Sequence, residues 1–407
     1  MTLSESRDLR GGQPVWTGQQ DSIPPAHPLP ARCDVVVIGA GIMGCTVAER
    51  LSADGREVVL VDRRPPAHGS TAASTAEVMW AMDVPLRDLS ASIGEAEAIR
   101  RWRRVHRAVR SYAERIDALG IDCGRADRPT VYLAGKTLDE AGLRAEAGLH
   151  DKAGLPTDFL DAQAVGARFG IAPRAALVST GGFEVNPVAL TLGLLETART
   201  RGARLAFPRD VVGLSHREDG GVVLSFDDGA TLAAGTVIFA GGYERAPLLL
   251  PPQFSLLSTF VMATVPGVAP LWREGAMIWE ASDPYLYIRA CSEGRIIAGG
   301  EDEDVVDTAT RDGMLPSRTA AVAAKSAAVL GLDAPLEEDR RWSATFGSSP
   351  DGLPAIGPAA NMDHVWLTAG FGGNGIAFAA LASEIVAAAL RGEPEAHASD
   401  YDPYRFA

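Results

Sequence analysis

Three glycines and one aspartate carry the first chemistry in this sequence. Gly39, Gly41 and Gly44 stand in the spacing G-x-G-x-x-G, and Asp62 follows 18 residues past the last of them. Gly39 permits a tight turn, Gly41 lets the backbone approach a pyrophosphate, and Gly44 lets a helix pack closely on a strand. Amide groups at the start of that helix face the anion, while a carboxylate at Asp62 can accept hydrogen bonds from both ribose hydroxyls of an adenosine. Together these residues predict dinucleotide binding. A glycine-rich turn in a nucleotide-free α/β fold would not require the acid at that spacing.

Positioning these residues takes a strand, a turn, a helix and a second strand. Asp34 to Ile38 is a short apolar, β-branched run, an amphipathic segment follows the glycines, and Glu57 to Val61 is a second apolar run that Asp62 closes. Next comes a loop of small and hydroxyl residues, Arg63 to Thr75, containing Gly69-Ser70-Thr71 and Ser74-Thr75. Such a loop can press amides and hydroxyls against a polar ligand, or it can be an ordinary solvated connection. Ser92 to Leu119 reads as a long helix with a charged, solvated face. Thr130 to Ala134 reads as a strand, Leu138 to Ala153 as a helix, and about Val188 to Arg201 as a helix after the turn Gly182 to Pro187. Strands over 210–215, 222–226 and 231–240 are separated by the turns Asp219-Gly220-Gly221 and Asp228-Gly229. The last of them ends in Ala240-Gly241-Gly242, where a backbone can come close to a nucleotide at the rim of a parallel sheet. From Ser255 to Gly300 the alternation, clearest in Tyr285 to Arg289, predicts an antiparallel sheet of a second domain. Arg318 to Leu330 is an Ala-rich helix.

Near the C-terminal end, Val365 to Thr368 reads as a strand leading through Gly370-Phe371-Gly372-Gly373-Asn374-Gly375 into a helix from Ile376. The glycine spacing matches the first motif, but no second strand with a terminal acid follows, so a second dinucleotide site is rejected. The helix start still offers a dipole to a ligand carbonyl that gains negative charge.

The totals narrow the function. With 407 residues the chain predicts two domains. A net charge of -14 disfavours nucleic acid and anionic lipid as partners. The four cysteines, Cys33, Cys45, Cys123 and Cys291, form no metal-type cluster, and residues 1–30 show no signal pattern and read as an irregular arm. A cytoplasmic protein follows as the expectation. Ile376 to Leu390 is too short, and carries Glu384, to be a membrane span.

The first motif, the Gly-Ser-Thr loop, the Gly-Gly strand end and the Gly-Gly-Asn-Gly helix start together resemble the FAD-dependent D-amino-acid oxidase, glycine oxidase and sarcosine oxidase superfamily, over about residues 31 to 395. The resemblance implies an α/β and α+β fold in which a Rossmann-like FAD-binding domain is assembled from 31–100, 160–248 and 345–395. A substrate domain on an antiparallel sheet, 101–159 and 249–344, would complete it, with 396–407 as a C-terminal tail. It further implies pyrophosphate contacts at Gly39, Gly41 and Gly44, the ribose at Asp62, Arg63 by the adenosine, and Ser70, Thr71, Ser74 and Thr75 along the pyrophosphate and flavin. Val211 would meet the adenine through its backbone, Gly241 would lie near the nucleotide, and Gly373, Asn374, Gly375 and Ile376 near the flavin pyrimidine edge. The implied reaction oxidises a C–N bond of an amino acid, N-alkyl amino acid or small amine to an imine, by hydride transfer to flavin N5. Ala344 and Ala73 stand where relatives with covalent flavin carry Cys or His, so the FAD is expected to be non-covalent. Sarcosine-oxidase-like members place a Lys above the flavin to assist oxygen. This chain has none between Lys152 and Lys325, which leaves oxygen and another electron acceptor both open.

On the substrate side, Arg289 can clamp a carboxylate bidentately or serve as a sheet-surface ion pair. Tyr285 and Tyr287 share a strand face and can shape a pocket or pack a core. Met79 and Trp80 can line the isoalloxazine or be buried. Glu301-Asp302-Glu303-Asp304 reads as a solvated turn or as a selector of cationic amines, and His68 as an exposed loop residue. Two further readings are a nicotinamide-dependent dehydrogenase and a flavin-retaining subunit that hands electrons to a partner. A homo-oligomer is compatible with any of them.

Overall fold

In the computed structural model the described residues are Leu3, 8–16, 23–218 and 220–407. Asp219 and the remaining arm residues lie outside them. Two large sheets organise the chain. The first runs, strand beside strand, Ala355–Pro358, Val365–Ala369, Thr231–Phe239, Arg32–Ile38, Val58–Val61 and Arg204–Ala206, with the meander Val211–His216 and Val222–Phe226 hung on Thr231–Phe239. From Val365–Ala369 to Arg204–Ala206 every pairing is parallel. Val35 to Ile38 and Val58 to Val61 are buried on both faces, which explains their unbroken apolar runs. Helices Ile42–Ala53, Pro187–Thr200 and Gly375–Leu390 pack together beside the sheet. Asn186 caps the second of these, its side-chain oxygen accepting from the Val188 and Ala189 amides at 3.0 and 3.1 Å.

The second sheet runs Arg10–Gly12, Arg340–Ser348, Ser255–Ala263, Ile296–Glu303, Leu286–Ala290, Met277–Glu280, Ala126–Leu133, Ala176–Glu184 and Glu77–Val78, with Thr157–Leu160 also on Ala176–Glu184. The expected antiparallel order holds except between Ala126–Leu133 and Met277–Glu280, which run parallel. Helix Thr308–Leu330 covers it, longer than expected because it continues N-terminally through Pro316.

Three placements differ from expectation. Glu77–Val78 and Ala176–Glu184 join the second sheet although the sequence puts 31–100 and 160–248 with the cofactor segments; an apolar run reads alike whichever sheet receives it. The arm is not wholly irregular, since Arg10–Gly12 pairs along Trp342–Ala344. Leu86–Ile93 is a separate helix from Glu95–Leu119, broken at Gly94 with φ +92°. The tail is anchored as well: Arg405 donates to both carboxylate oxygens of Asp351 at 2.9 and 2.8 Å, and Tyr401 is buried.

Candidate active site

The Arg32–Ile38 strand ends at Gly39, whose φ is +108°. A Cβ there would lie 2.3 Å from the Ala240 carbonyl oxygen, and one on Gly44 would lie 1.8 Å from that of Gly39. These two glycines are required by the protein's own packing. Gly41 is different, because a Cβ there would meet only the Thr71 hydroxyl, at 3.1 Å, and the rest of its surroundings are the open cleft. The Thr71 hydroxyl accepts the Ile42 amide at 3.0 Å, stitching the hydroxyl loop to the helix start. Asp62 accepts from the amides of Ala40 at 2.7 Å and Arg64 at 2.8 Å, which fixes its carboxylate at the strand end. Burial pushes its pKa up against those two donors.

A single cleft, with about 1960 Å³ of empty space including open solvent at its mouth, runs from this motif to the C-terminal helix start. Its wall includes Gly39, Gly41, Asp62, Arg63, Ser70, Thr71, Ser74, Thr75, Val211 and Gly241 at one end, and Gly373, Asn374, Gly375 and Ile376 at the other. Gly44 supports the wall from behind. Arg63 and Arg64 both pair with Glu244, the latter at 2.8 Å. Arg245 bonds Asp210 at 2.6 Å and the Val211 carbonyl at 2.9 Å, so that carbonyl is already engaged.

At the other end, the Gly373 amide donates to Asp83 at 2.6 Å and the Asn374 side-chain amide to the Ala81 carbonyl at 2.6 Å. The helix start is therefore less open to an anion than its glycines suggest, because a carboxylate already holds one of its amides. Around it stand Tyr243, Thr259, Trp279, Tyr285, Tyr287, Phe346, Met79 and Glu77. The Tyr287 hydroxyl lies 3.2 Å from that of Thr259, and Trp279 stacks on Tyr132 at 3.8 Å between centroids. Burial holds the Tyr285 and Tyr287 phenols protonated, well above their ordinary range.

Arg289 is not a carboxylate clamp. Its guanidinium is 2% exposed, is absent from the cleft wall, and donates to the carbonyls of Thr75 and Ala76 at 2.8 Å, Val185 at 3.1 Å and Ala290 at 2.8 Å. It lies 3.6 Å from Glu184, which stands directly opposite Glu77 across the sheet. Glu184 also accepts from Arg128 at 3.1 Å, so the buried carboxylate has a cation on either side. Arg289 is thus an internal strut for the hydroxyl loop.

The acidic run is only partly a solvated turn, with Asp304 exposed at the bend. Glu301 is buried and pairs with Lys325 and Arg318 at the end of a strand, and Asp302 is largely shielded behind Thr259. His68 is on the cleft wall, its Nε2 3.0 Å from Arg10 of the arm, and is not an exposed loop residue. Met79 lines the cleft, whereas Trp80 is core, donating to the Thr180 carbonyl at 2.8 Å. The sequence reading missed Glu77, Asp83, Glu244, Arg245, Thr259 and Trp279. Each is an isolated residue outside any motif, and only the Gly241-Gly242 strand end gave a signal near Glu244 and Arg245.

The geometry fits FAD: two glycines packed backbone on backbone, a third facing open space, a fixed carboxylate at the second strand end, and one cleft joining these to a distant helix start. Relatives agree. The chain is 28% identical to the tRNA 5-methylaminomethyl-2-thiouridine biosynthesis bifunctional protein MnmC of Burkholderia cenocepacia, over 97% of this chain and 63% of that protein. It is 27% identical to the same-named protein of Cupriavidus necator, over 94% and 61%. The chain thus spans less than two thirds of the length of these relatives. Among solved structures, L-proline dehydrogenase from P. horikoshii has a TM-score of 0.75 at 20% identity, covering 93% of this chain and 98% of that one. Glycine oxidase from Geobacillus kaustophilus has a TM-score of 0.75 at 19% identity, covering 92% and 99%; these likenesses bear on the fold. The family described as FAD dependent oxidoreductase, DAO, matches residues 34–389, and the chain belongs to that family as an FAD-dependent oxidoreductase.

Proposed function

We propose that the protein oxidises the C–N bond of an amine, with FAD held non-covalently. The observation that carries this reading is the far end of the cleft, an aromatic chamber with carboxylates on its wall. No group of His, Cys, Asp and Glu among the described residues could hold a metal ion. Bound FAD supplies the two-electron acceptor. The chain's own part is to exclude water with Tyr243, Tyr285, Tyr287 and Phe346, and to deliver the nitrogen uncharged. Glu77 is suited to that deprotonation. Its Oε1 is buried without a hydrogen-bond partner among the described residues, and burial pushes its pKa up to about 8, where it can take a proton from an ammonium. Anaerobic mixing with a panel of primary and secondary amines tests the reading: the flavin absorbance should bleach with at least one, and a flavin that none of them bleaches removes it. Readmitting air then reports the acceptor. Lys325, held by Glu301, is off the cleft wall, and slow reoxidation in air would favour a dehydrogenase passing electrons to a partner.

A second reading follows from the relatives' name, which concerns tRNA. A nucleoside-linked amine would then be the substrate, against the expectation set by the net charge of -14. Bleaching by modified tRNA at micromolar concentration, with free amines inert, would support it.

A further inference from the structure

The charge of the substrate can be read from the chamber, granted the amine-oxidising reading above. The cations on the cleft wall, Arg63, Arg64, Arg209 and Arg245, stand at the nucleotide end beside Glu244, Asp228 and Asp210. At the chamber end no Arg, Lys or His among the described residues lines the cleft, and the buried Arg289, off the wall, gives its Nε and Nη1 hydrogens to backbone carbonyls.

The carboxylates are distributed in the opposite sense. Glu77 and Asp83 line the chamber, and Asp302 lies behind Thr259. One acceptor atom on the chamber wall, Glu77 Oε1, is buried with no partner among the described residues; Asp302 Oδ1 has none either but lies off the wall. Buried polar atoms in a cavity await a ligand or water to complete them. A bound ammonium supplies an N–H donor to Glu77 and a positive charge beside the rings of Tyr285, Tyr287 and Trp279. A carboxylate on the substrate would find repulsion and no guanidinium or ammonium to answer it.

We infer that the substrate is a cationic amine without a carboxylate, such as an N-alkylamine or a diamine, and that Glu77 on the wall, with the charge of Asp302 behind it, selects it. Two measurements on the FAD-loaded full chain test this. The first needs no turnover. Tetramethylammonium chloride and sodium acetate are titrated separately at fixed ionic strength while the flavin spectrum is followed. Tetramethylammonium should perturb the spectrum at a concentration at least tenfold below acetate, and both Glu77→Gln and Asp302→Asn should shrink that ratio while FAD content stays full. The second compares anaerobic flavin reduction by matched pairs, N-methylethylamine against sarcosine and 1,4-diaminobutane against ornithine. The uncarboxylated member should half-saturate at least tenfold lower. Faster reduction by sarcosine or ornithine, tighter acetate, or no response to tetramethylammonium overturns the inference while leaving amine oxidation standing. Tetramethylammonium preference with no bleaching by any amine would sink amine oxidation and keep the charge preference.

Discussion

At the nucleotide end of the cleft, Arg63, Arg64, Arg209 and Arg245 line the wall beside acidic partners. At the chamber end the wall carries Glu77 and Asp83 and, among the described residues, no cation. Each end also contains a glycine-rich helix start, and the two are used differently. Gly41 faces open space on its cleft side, whereas the Gly373 amide is taken by Asp83. A run of glycines before a helix therefore does not define an anion site by itself. Whether the amides remain available is decided by side chains from elsewhere in the chain.

The sharpest way to break this contrast is at Gly41. Gly41→Val should leave the far-UV circular dichroism unchanged and abolish flavin uptake, because the branched side chain fills space that the protein leaves open; a yellow variant would place the cofactor elsewhere. Arg289→Ala comes next. It removes the strut, leaving the Thr75, Ala76 and Val185 carbonyls without their donor and buried Glu184 with Arg128 alone, so denaturant unfolding should register a loss of about 3 to 5 kcal/mol. A variant of normal stability with weakened binding of carboxylated amines would restore Arg289 to the chamber. Asp62→Asn keeps the shape and removes the charge, and should weaken FAD affinity by about tenfold to a hundredfold, the range of one charge-assisted hydrogen bond, measured by flavin fluorescence during dissociation.

The smallest expected effect is a pH dependence confined to the chamber. Burial raises Asp302 to about 7 and Glu77 to about 8. Asp302 is faced by Asp83, Asp283 and Glu301, and Glu77 by Arg289 and Glu184. Because both folded-state pKa values lie above the usual carboxylate range, ionisation is disfavoured, so stability falls as pH rises through this window. Cation binding changes in the opposite direction. The affinity for tetramethylammonium, which does not titrate, should rise from pH 6 to 9, and Glu77→Gln should remove the upper part of the rise. A flat wild-type profile would show that neither group ionises there.

The cofactor end was the more legible in the sequence, because its parts are local. A strand, three glycines, a helix and Asp62 fall within 29 residues, from Asp34 on, and each has a backbone reason to be there. Tyr285 and Tyr287 were legible as a pair on one strand face. Arg289, two positions on from Tyr287, was not legible as a strut, since its partners Thr75, Ala76 and Val185 are about a hundred residues or more away in the chain. The acidic run misled for the same reason: Lys325 and Arg318, which neutralise Glu301, lie on a helix that follows it. Glu77 and Asp83 carry no local signature at all. Their meaning comes from the cavity that the two sheets enclose.

The short strand Arg10–Gly12 has a consequence for handling the protein. It covers the outer side of Arg340–Ser348, and the following chain fastens over the hydroxyl loop, with the Trp16 indole donating to the Ser74 carbonyl at 2.7 Å. Deleting residues 1–16 would uncover the ladder donors and acceptors between Arg341 and Thr345 that the arm now satisfies, the kind of border along which separate molecules stack. Such a truncation should form soluble aggregates on size-exclusion chromatography, and should do so even with its flavin in place.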